Sequence, residues 1–585
     1  MYRAVPAYRS TAPLLTPKGQ ARQPLPAGWE AVIGIECHAQ LRVPRKLFSG
    51  TPPPTAHSAP NTCVGAFDAA FPGTLPVVQD AAVNAAVKAA LALGCTLAPV
   101  SGFDRKHYFY ADQPAGYQIT QHLTPFAHSG TVAIRYEDGY LSNVDDALDV
   151  PILQLQLEQD TAKSTYFALD DVGGAGGRKS DPVHATFVDF DRAGVALVEI
   201  VSGPVMRTPE QAGAYVRKVR SLLRCVGASD GNMNEGSLRC DANVSVHRIG
   251  TPFGARCEVK NLNSVKFMMH ALAFEVQRQL AVLQGGGTFE TESRGFDEAR
   301  GVTYSMRSKE TTPDYRYMPE PNLPPLHVSQ ERITAVAATL PELPDARHRR
   351  LREEYGLAAR DVNLLTRVNA EDDAMGAPES EQRAAEACGS PAADSAQSGG
   401  DMVLRPNAVD YFEDLVRLGV SAPAAVNWTI QHLPKHLNAA GIAFCHSPIP
   451  PRAVAELVSL VDEDVITAST AQTLLADMVK ARAVPHEHGV VRIREHVHAR
   501  DLGKLRTPEA LRAICEPVVA ELTSEVQAVR AGKHKVLAKL VGEVMRRAHG
   551  RVDAAEASGV LQELVLGTGA SGEGTGQMHG AGAQG

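Results

Sequence analysis

A chain of 585 residues exceeds what one hydrophobic core ordinarily serves, so two to four domains are expected. Apolar residues make up 44 % and charged residues 21 %, the composition of a soluble globular protein, and no run of about 18 apolar residues offers a membrane-spanning helix. A formal net charge of −8 excludes a chain that is basic throughout, while leaving room for local basic patches.

Taken in chain order, residues 1–28 carry Arg3, Arg9, Lys18 and Arg22 and no acidic residue, among Ser, Thr, Pro and Ala. That pattern reads as an organellar transit peptide, with a disordered cytosolic leader as the alternative. Next comes VIGIECHAQL (32–41), an apolar strand holding Glu36, Cys37 and His38. Alternation in a strand puts Glu36 and His38 on one face and Cys37 on the other. Spacing leaves open whether the pair binds a divalent cation or forms a structural hydrogen bond. AAVNAAVKAALALG (81–94) is a helix closing at Gly94.

RKHYFYADQPAGYQITQ (105–121) interleaves Arg105 and Lys106 with tyrosines, and SMRSKETTPDYRYMPEP (305–321) supplies Arg307, Lys309 and Arg316. Either segment suits phosphate oxygens or a nucleic-acid end, and equally a solvated loop anchored by its tyrosines. LQLEQDTAK (155–163) alternates Glu158 and Asp160. SDGNMNEGSLRCDANVSV (229–246) holds Asp230, Glu235, Asp241 and Asn243, and CEVKNLNS (257–264) adds Glu258 and Lys260. Acids inside strands are costly to bury alone, so several in one domain point to a cation or a polar cleft; taken singly, each also fits a strand edge facing water.

GGAGGRKS (173–180) fails the phosphate-loop pattern because Arg178 separates the last glycine from the lysine, leaving a surface loop. TPEQAGAYVRKVRSLLRCVG (208–227) is the clearest helix, with Thr208 and Gln211 set for a capping box and Pro209 at the first turn. A second amphipathic helix spans 265–287.

After the Pro-rich PEPNLPPL (319–326) the pattern turns helical. It is interrupted by a small, polar stretch at 371–402 that reads as a disordered insertion, and it ends in a Gly-rich tail. Nine scattered cysteines form no C-x-x-C pair, which suits free thiols in a reducing compartment and no Cys-rich zinc site.

In this order IGIECHAQL, RKHYFYADQPAGYQITQ, LEQD, DRAGVALVEIVS, EGSLRCDANVSV, EVKNLNS, SMRSKE and DYRYMPEPNLPPL closely resemble the GatB family of glutamyl-tRNA(Gln) amidotransferases. The resemblance runs from Trp29 to Pro325 and more weakly to about Val565. It implies an α+β catalytic cradle, glutamine-synthetase-like, over 29–325. An all-α helical domain over 326–430 and a small all-α YqeY-like tail domain over 431–567 would follow.

The implied reaction is ATP- and Mg²⁺-dependent phosphorylation of the γ-carboxylate of mischarged Glu-tRNA(Gln). Ammonia delivered from a GatA glutaminase then displaces phosphate, in a complex that also contains GatC. Chemistry supports the first step, since a carboxylate lacks a leaving group until phosphorylated, and phosphoryl transfer needs a metal and cations.

Carried over motif by motif, the resemblance assigns Glu36, His38 and Glu158 to the metal. Asp241 and Glu258 become further cleft acids, and Lys106, Arg307 and Lys309 face nucleotide or substrate phosphates. Lys533, Lys535, Arg546 and Arg547, in the basic run from Arg530 to Arg551, are candidate tRNA contacts, with a solvated helix face as the alternative. Where relatives carry a Cys-rich zinc stretch, this chain has NTCVGAFDAAFPGTLP (61–76), with Gly65 and Asp68 in place of cysteines. No zinc is expected there, and the segment resembles the mitochondrial branch; chloroplast or dual targeting stays open. Two other readings are a free-standing carboxylate–amine ligase, which has no use for the C-terminal helical regions, and a tRNA-binding scaffold with a decayed cleft, which retention of the acids opposes.

Overall fold

The computed structural model describes residues 25–55, 57–169, 183–308, 314–372, 407–487 and 490–567. The leader through residue 24, the GGAGGRKS segment, residues 373–402 of the expected insertion and the tail after 567 lie outside the described residues. Two compact units make up the chain, Met1–Arg350 and Leu351–Gly585.

The first unit begins with β1 (Trp29–Gln40), α1 (Asp80–Ala92), β2 (Thr96–Leu97), β3 (Val100–Ser101), β4 (Asp104–His107), β5 (Tyr117–Thr120), β6 (Ala127–Ile134), β7 (Leu148–Gln159), β8 (Lys163–Leu169) and β9 (Val183–Asp189). It continues through β10 (Ala196–Ser202), α2 (Pro209–Cys225), β11 (Leu238–Arg248), β12 (Cys257–Leu262), α3 (Val265–Gln284), β13 (Glu292–Asp297), β14 (Val302–Ser308), β15 (Met318–Pro319), β16 (Leu326–His327) and α4 (Gln330–Ala337).

Nine strands form one sheet in the order β14-β13-β12-β11-β1-β10-β7-β6-β2. Only the β12–β13 pair is parallel, and α3 supplies the crossover that a parallel pair requires. A smaller β15-β4-β5 sheet brings β5 against β7.

Local chemistry fixes the three long helices. The Thr208 side chain accepts from the Gln211 backbone N–H, and the Gln211 side chain returns the bond, with Pro209 in the first turn. Val226 then caps α2, and Gly227 takes a positive φ of 67°. Ser264 caps α3 through the Phe267 N–H, and α1 ends two residues before Gly94. All three helices match the sequence expectations to within a few residues at their ends.

They cover one face of the sheet. Ile35, Cys37, Ala39, Ile200, Cys240 and Ala242 project into a core completed by Tyr215, Val219, Met268 and Leu272. Cys37 and Cys240, directly opposite across β1–β11, bring their sulfurs to 3.3 Å. The other face carries the polar residues that alternate with these.

Among its described residues the second unit is helical apart from the two-residue pair His486–Glu487 with Val490–Val491. It buries two hydrophobic clusters, one drawn from Leu351 to Val497 and one from Leu511 to Val565. Among the described residues no helix is long and apolar enough to cross a membrane.

Candidate active site

The register of the central strands assembles the site. On β1, Glu36 stands opposite Val201 of β10 and Asp241 of β11, and His38 stands opposite Glu199 and Arg239. β10 in turn pairs Glu199 with Gln156 and Leu197 with Glu158 of β7. Because directly paired residues share a face, Glu36, His38, Glu199, Gln156, Glu158, Arg239 and Asp241 all project away from the helices.

Glu36, His38 and Glu199 bring one ligand atom each to within 4.8 Å of one another, the one such group of His, Cys and acids among the described residues. His38 Nε2 donates to Glu36 Oε1 at 3.1 Å, and His38 Nδ1 lies 4.0 Å from Glu158 Oε1. Glu158 Oε2 is buried and takes no hydrogen bond, with the Lys106 ammonium of β4 at 3.8 Å.

Three carboxyls thus crowd one imidazole and one ammonium. Burial works against a charged imidazole at His38, but the hydrogen bond to Glu36 and the charges of Glu199 and Glu158 prevail and raise it to about 9. Burial also resists ionisation of Glu36, which the His38 bond overcomes, holding that carboxyl at about 2. Glu199 goes the other way: burial, then the neighbouring Glu158, push it up to about 8. Burial disfavours the charged Lys106, yet Glu158 and Glu199 hold it protonated, its pKa raised.

Asp241 and Glu258 are joined by Lys260, whose Nζ lies 3.2 Å from Asp241 and 3.0 Å from Glu258 on the β11–β12 side of the cluster. Burial raises the Asp241 pKa, against the pull of Lys260 and His38. The backbone of Arg307 lies on the edge strand β14, opposite Ser293, away from the cluster in the sheet order, and Lys309 lies outside the described residues.

In the second unit Arg546 pairs with Glu543, and Arg547 with both Glu543 and Glu521. Lys533 and Lys535 sit at the short turn that leads into the same helix, Leu537–Arg547. Within 61–76, Asp68 accepts from Lys46 Nζ, Ser49 Oγ and the Gly65 N–H.

Glu199 is absent from the residues that spacing and resemblance single out. It is the one charged residue in ALVEIVS, and only the antiparallel register brings it onto His38. The cost of burying a lone carboxylate is the signal that marks it.

Acids placed this close repel one another, and a divalent cation would relieve the crowding. The donor set is rich in carboxylate oxygen, as Mg²⁺ prefers, with one imidazole that also suits Mn²⁺.

A family model described as "GatB/GatE catalytic domain" matches residues 31–334, and another described as "GatB domain" matches residues 410–565. The mitochondrial B subunit of the glutamyl-tRNA(Gln) amidotransferase from Mycosarcoma maydis is 46 % identical over 565 residues, covering 91 % of this chain and 85 % of that protein. Its namesake in Danio rerio is 38 % identical over 550 residues, covering 92 % and 89 %. The B subunit of the aspartyl/glutamyl-tRNA(Asn/Gln) amidotransferase from Acidiphilium cryptum is 37 % identical over 538 residues, covering 92 % and 97 %.

Proposed function

Because the chain belongs to the GatB family and works within the ATP-dependent, multi-subunit amidotransferase that turns Glu-tRNA(Gln) into Gln-tRNA(Gln), we propose that the Glu36–His38–Glu199 face is where the γ-carboxylate is phosphorylated. The observation that carries this assignment is the convergence of those three side chains on one point, with Glu158 and Lys106 beside them.

Glu36, His38 and Glu199 would hold Mg²⁺, with Glu158 at the margin. Bound there, the cation would supply charge neutralisation for phosphate oxygens. Lys106, fixed over Glu158, presents an ammonium to charge developing on the transferred phosphoryl group. Asp241, Glu258 and Lys260 extend the polar floor towards β12. Once phosphorylated, the γ-carboxylate has phosphate as a leaving group, and ammonia completes the amide.

The same reading includes a glutamine-hydrolysing GatA-type partner and a GatC-type partner. It places tRNA on the basic helix near Arg546 and Arg547, where phosphates would compete with Glu543 and Glu521. The finer fold reading is a glutamine-synthetase-like cradle, a helical domain and a YqeY-like tail. Relatives named mitochondrial support import into that organelle.

The test is a charging assay on the reconstituted complex with ammonium supplied. ADP and Gln-tRNA should form with Glu-tRNA(Gln) and not with free glutamate. Glu36→Gln should cut ADP formation at least about 100-fold, the scale expected when a group that stabilises transition-state charge is lost. Equal amidation of free glutamate would replace this reading with that of a small-molecule ligase.

A further inference from the structure

We propose that two buried glutamine amides, Gln118 and Gln156, are positioning residues that aim Glu158 and Glu199 at the bound cation, each amide being locked in one orientation from behind. This inference rests on the metal reading given above and adds residues that reading does not use.

Gln118 lies on β5 and is almost fully buried. Its Nε2 donates to Glu158 Oε1 at 3.0 Å and to the Gln159 carbonyl at 2.5 Å. An amide can flip and present its oxygen instead, which would repel a carboxylate. Here the flip is blocked, because Gln118 Oε1 accepts from the Tyr108 hydroxyl at 3.0 Å. The single Tyr108 proton is thus given to Gln118, while the Tyr108 oxygen accepts from Gln113 Nε2 at 2.6 Å. Gln113, Tyr108 and Gln118 thus form a one-way chain of donors ending on Glu158.

Gln156 repeats the device on β7. Its Nε2 donates to Glu199 Oε2 and, at 3.2 Å, to Thr120 Oγ1, and its Oε1 accepts from Gln154 Nε2 at 2.9 Å. Flipping would take the donor away from Glu199 Oε2 and bring the Gln156 amide nitrogen against that of Gln154. Each glutamate is therefore fixed through one oxygen by a neutral donor.

Neutral donors matter. A lysine or arginine in either place would add to the Lys106 ammonium already 3.8 Å from Glu158 and compensate the carboxylate's charge, as Lys260 does for Asp241. An amide orients a ligand while leaving its charge to the metal, which is the role of an outer-shell partner. Such partners change metal affinity without touching the metal, typically by about 10–100-fold.

The test uses the full amidotransferase complex, with Mn²⁺ as the probe, titrated by electron paramagnetic resonance and compared with thermal melting. Gln118→Met and Gln156→Met, close in shape but lacking donors, should weaken Mn²⁺ binding about 10-fold or more while melting stays cooperative and above the titration temperature. Tyr108→Phe keeps the ring and frees the Gln118 amide to flip, so it should weaken Mn²⁺ binding relative to wild type, by less than Gln118→Met does. If a methionine variant fails to fold, Tyr108→Phe decides for Gln118 and Gln154→Met, which removes the donor to Gln156 Oε1, decides for Gln156, each by whether it weakens Mn²⁺ binding against wild type.

Glu158→Gln and Glu199→Gln serve as controls. Loss of Mn²⁺ in these two but wild-type affinity in the methionine and phenylalanine variants would overturn this proposal and spare the metal reading. Wild-type affinity in both glutamine controls would overturn both.

Discussion

Two of the buried carboxylate clusters on the first unit differ in how their charges are matched. Around Glu275, on α3, two acids face two guanidiniums. Glu275 Oε1 accepts from Arg278 at 2.6 Å and Gln279 at 2.9 Å, Oε2 accepts from Thr303 at 2.9 Å, and Arg294 stands 3.3 Å away. Glu292 pairs with Arg294 at 2.7 Å and reaches Arg278 at 3.4 Å. Although burial opposes its charge, the Arg278 bond leaves Glu275 with a lowered pKa. In the cleft, Glu36, Glu158 and Glu199 share one imidazole and one ammonium, and Glu199 is pushed up to about 8. One cluster closes its own electrostatics and so contributes structure; the other holds a surplus of negative charge that only a proton or a cation can answer.

Exchanging one glutamate from each cluster separates the catalytic from the structural carboxyl most directly. Glu199→Gln should lower ADP formation at least about 100-fold with the melting temperature kept, since its surroundings already favour the neutral carboxyl. Glu275→Gln should do the reverse. Removing one partner from a matched buried set costs about 3 kcal/mol, at the low end because Glu292 still faces both guanidiniums, while activity per folded molecule stays. Denaturant titration and the charging assay, run on both variants, separate the two roles; a Glu199→Gln protein that unfolds easily and turns over normally would erase the distinction.

Acid sharpens the contrast at smaller amplitude. The folded pKa of Glu275 lies below its usual 4.5. Its stabilisation is therefore complete above about 4.5 and is lost as pH falls through the folded value. The stability gap between wild type and Glu275→Gln should shrink only below that pH. A gap that narrows between about pH 8 and 6 would point to another group.

The smallest effect belongs to the helix-facing side of β1. Cys37→Ala removes a sulfur from a tight contact with Cys240 and should cost about 1 kcal/mol with turnover unchanged. Loss of turnover at normal stability would mean that the helix-covered face also shapes the chemistry.

Much of this architecture is legible in the residues. Thr208, Pro209 and Gln211 announce α2 because a capping box is local chemistry. Glu36 and His38 declare a shared face because strand alternation is local too. What spacing misses is what depends on strands meeting. Glu199 joins His38 through the β1–β10 register, and Gln118 reaches Glu158 from a different sheet. Glu275 reads as one polar position on an amphipathic helix, yet it is completely buried, because Arg278 and Arg294 fold over it. Sequence spacing encodes faces; it does not encode which faces touch.

The pairing of β1 along both edges has a consequence for how the chain tolerates change. Its side chains alternate strictly from Glu36 to Gln40 between the polar cleft and the apolar core. Inserting a single residue before Glu36 would exchange the two faces, driving Glu36 and His38 into the helices and Cys37 into the cleft. Inserting two would preserve the alternation and merely displace it. The charged groups that invite a cation thus also act as a reading frame for the fold, making a one-residue slip the most expensive error this strand can make.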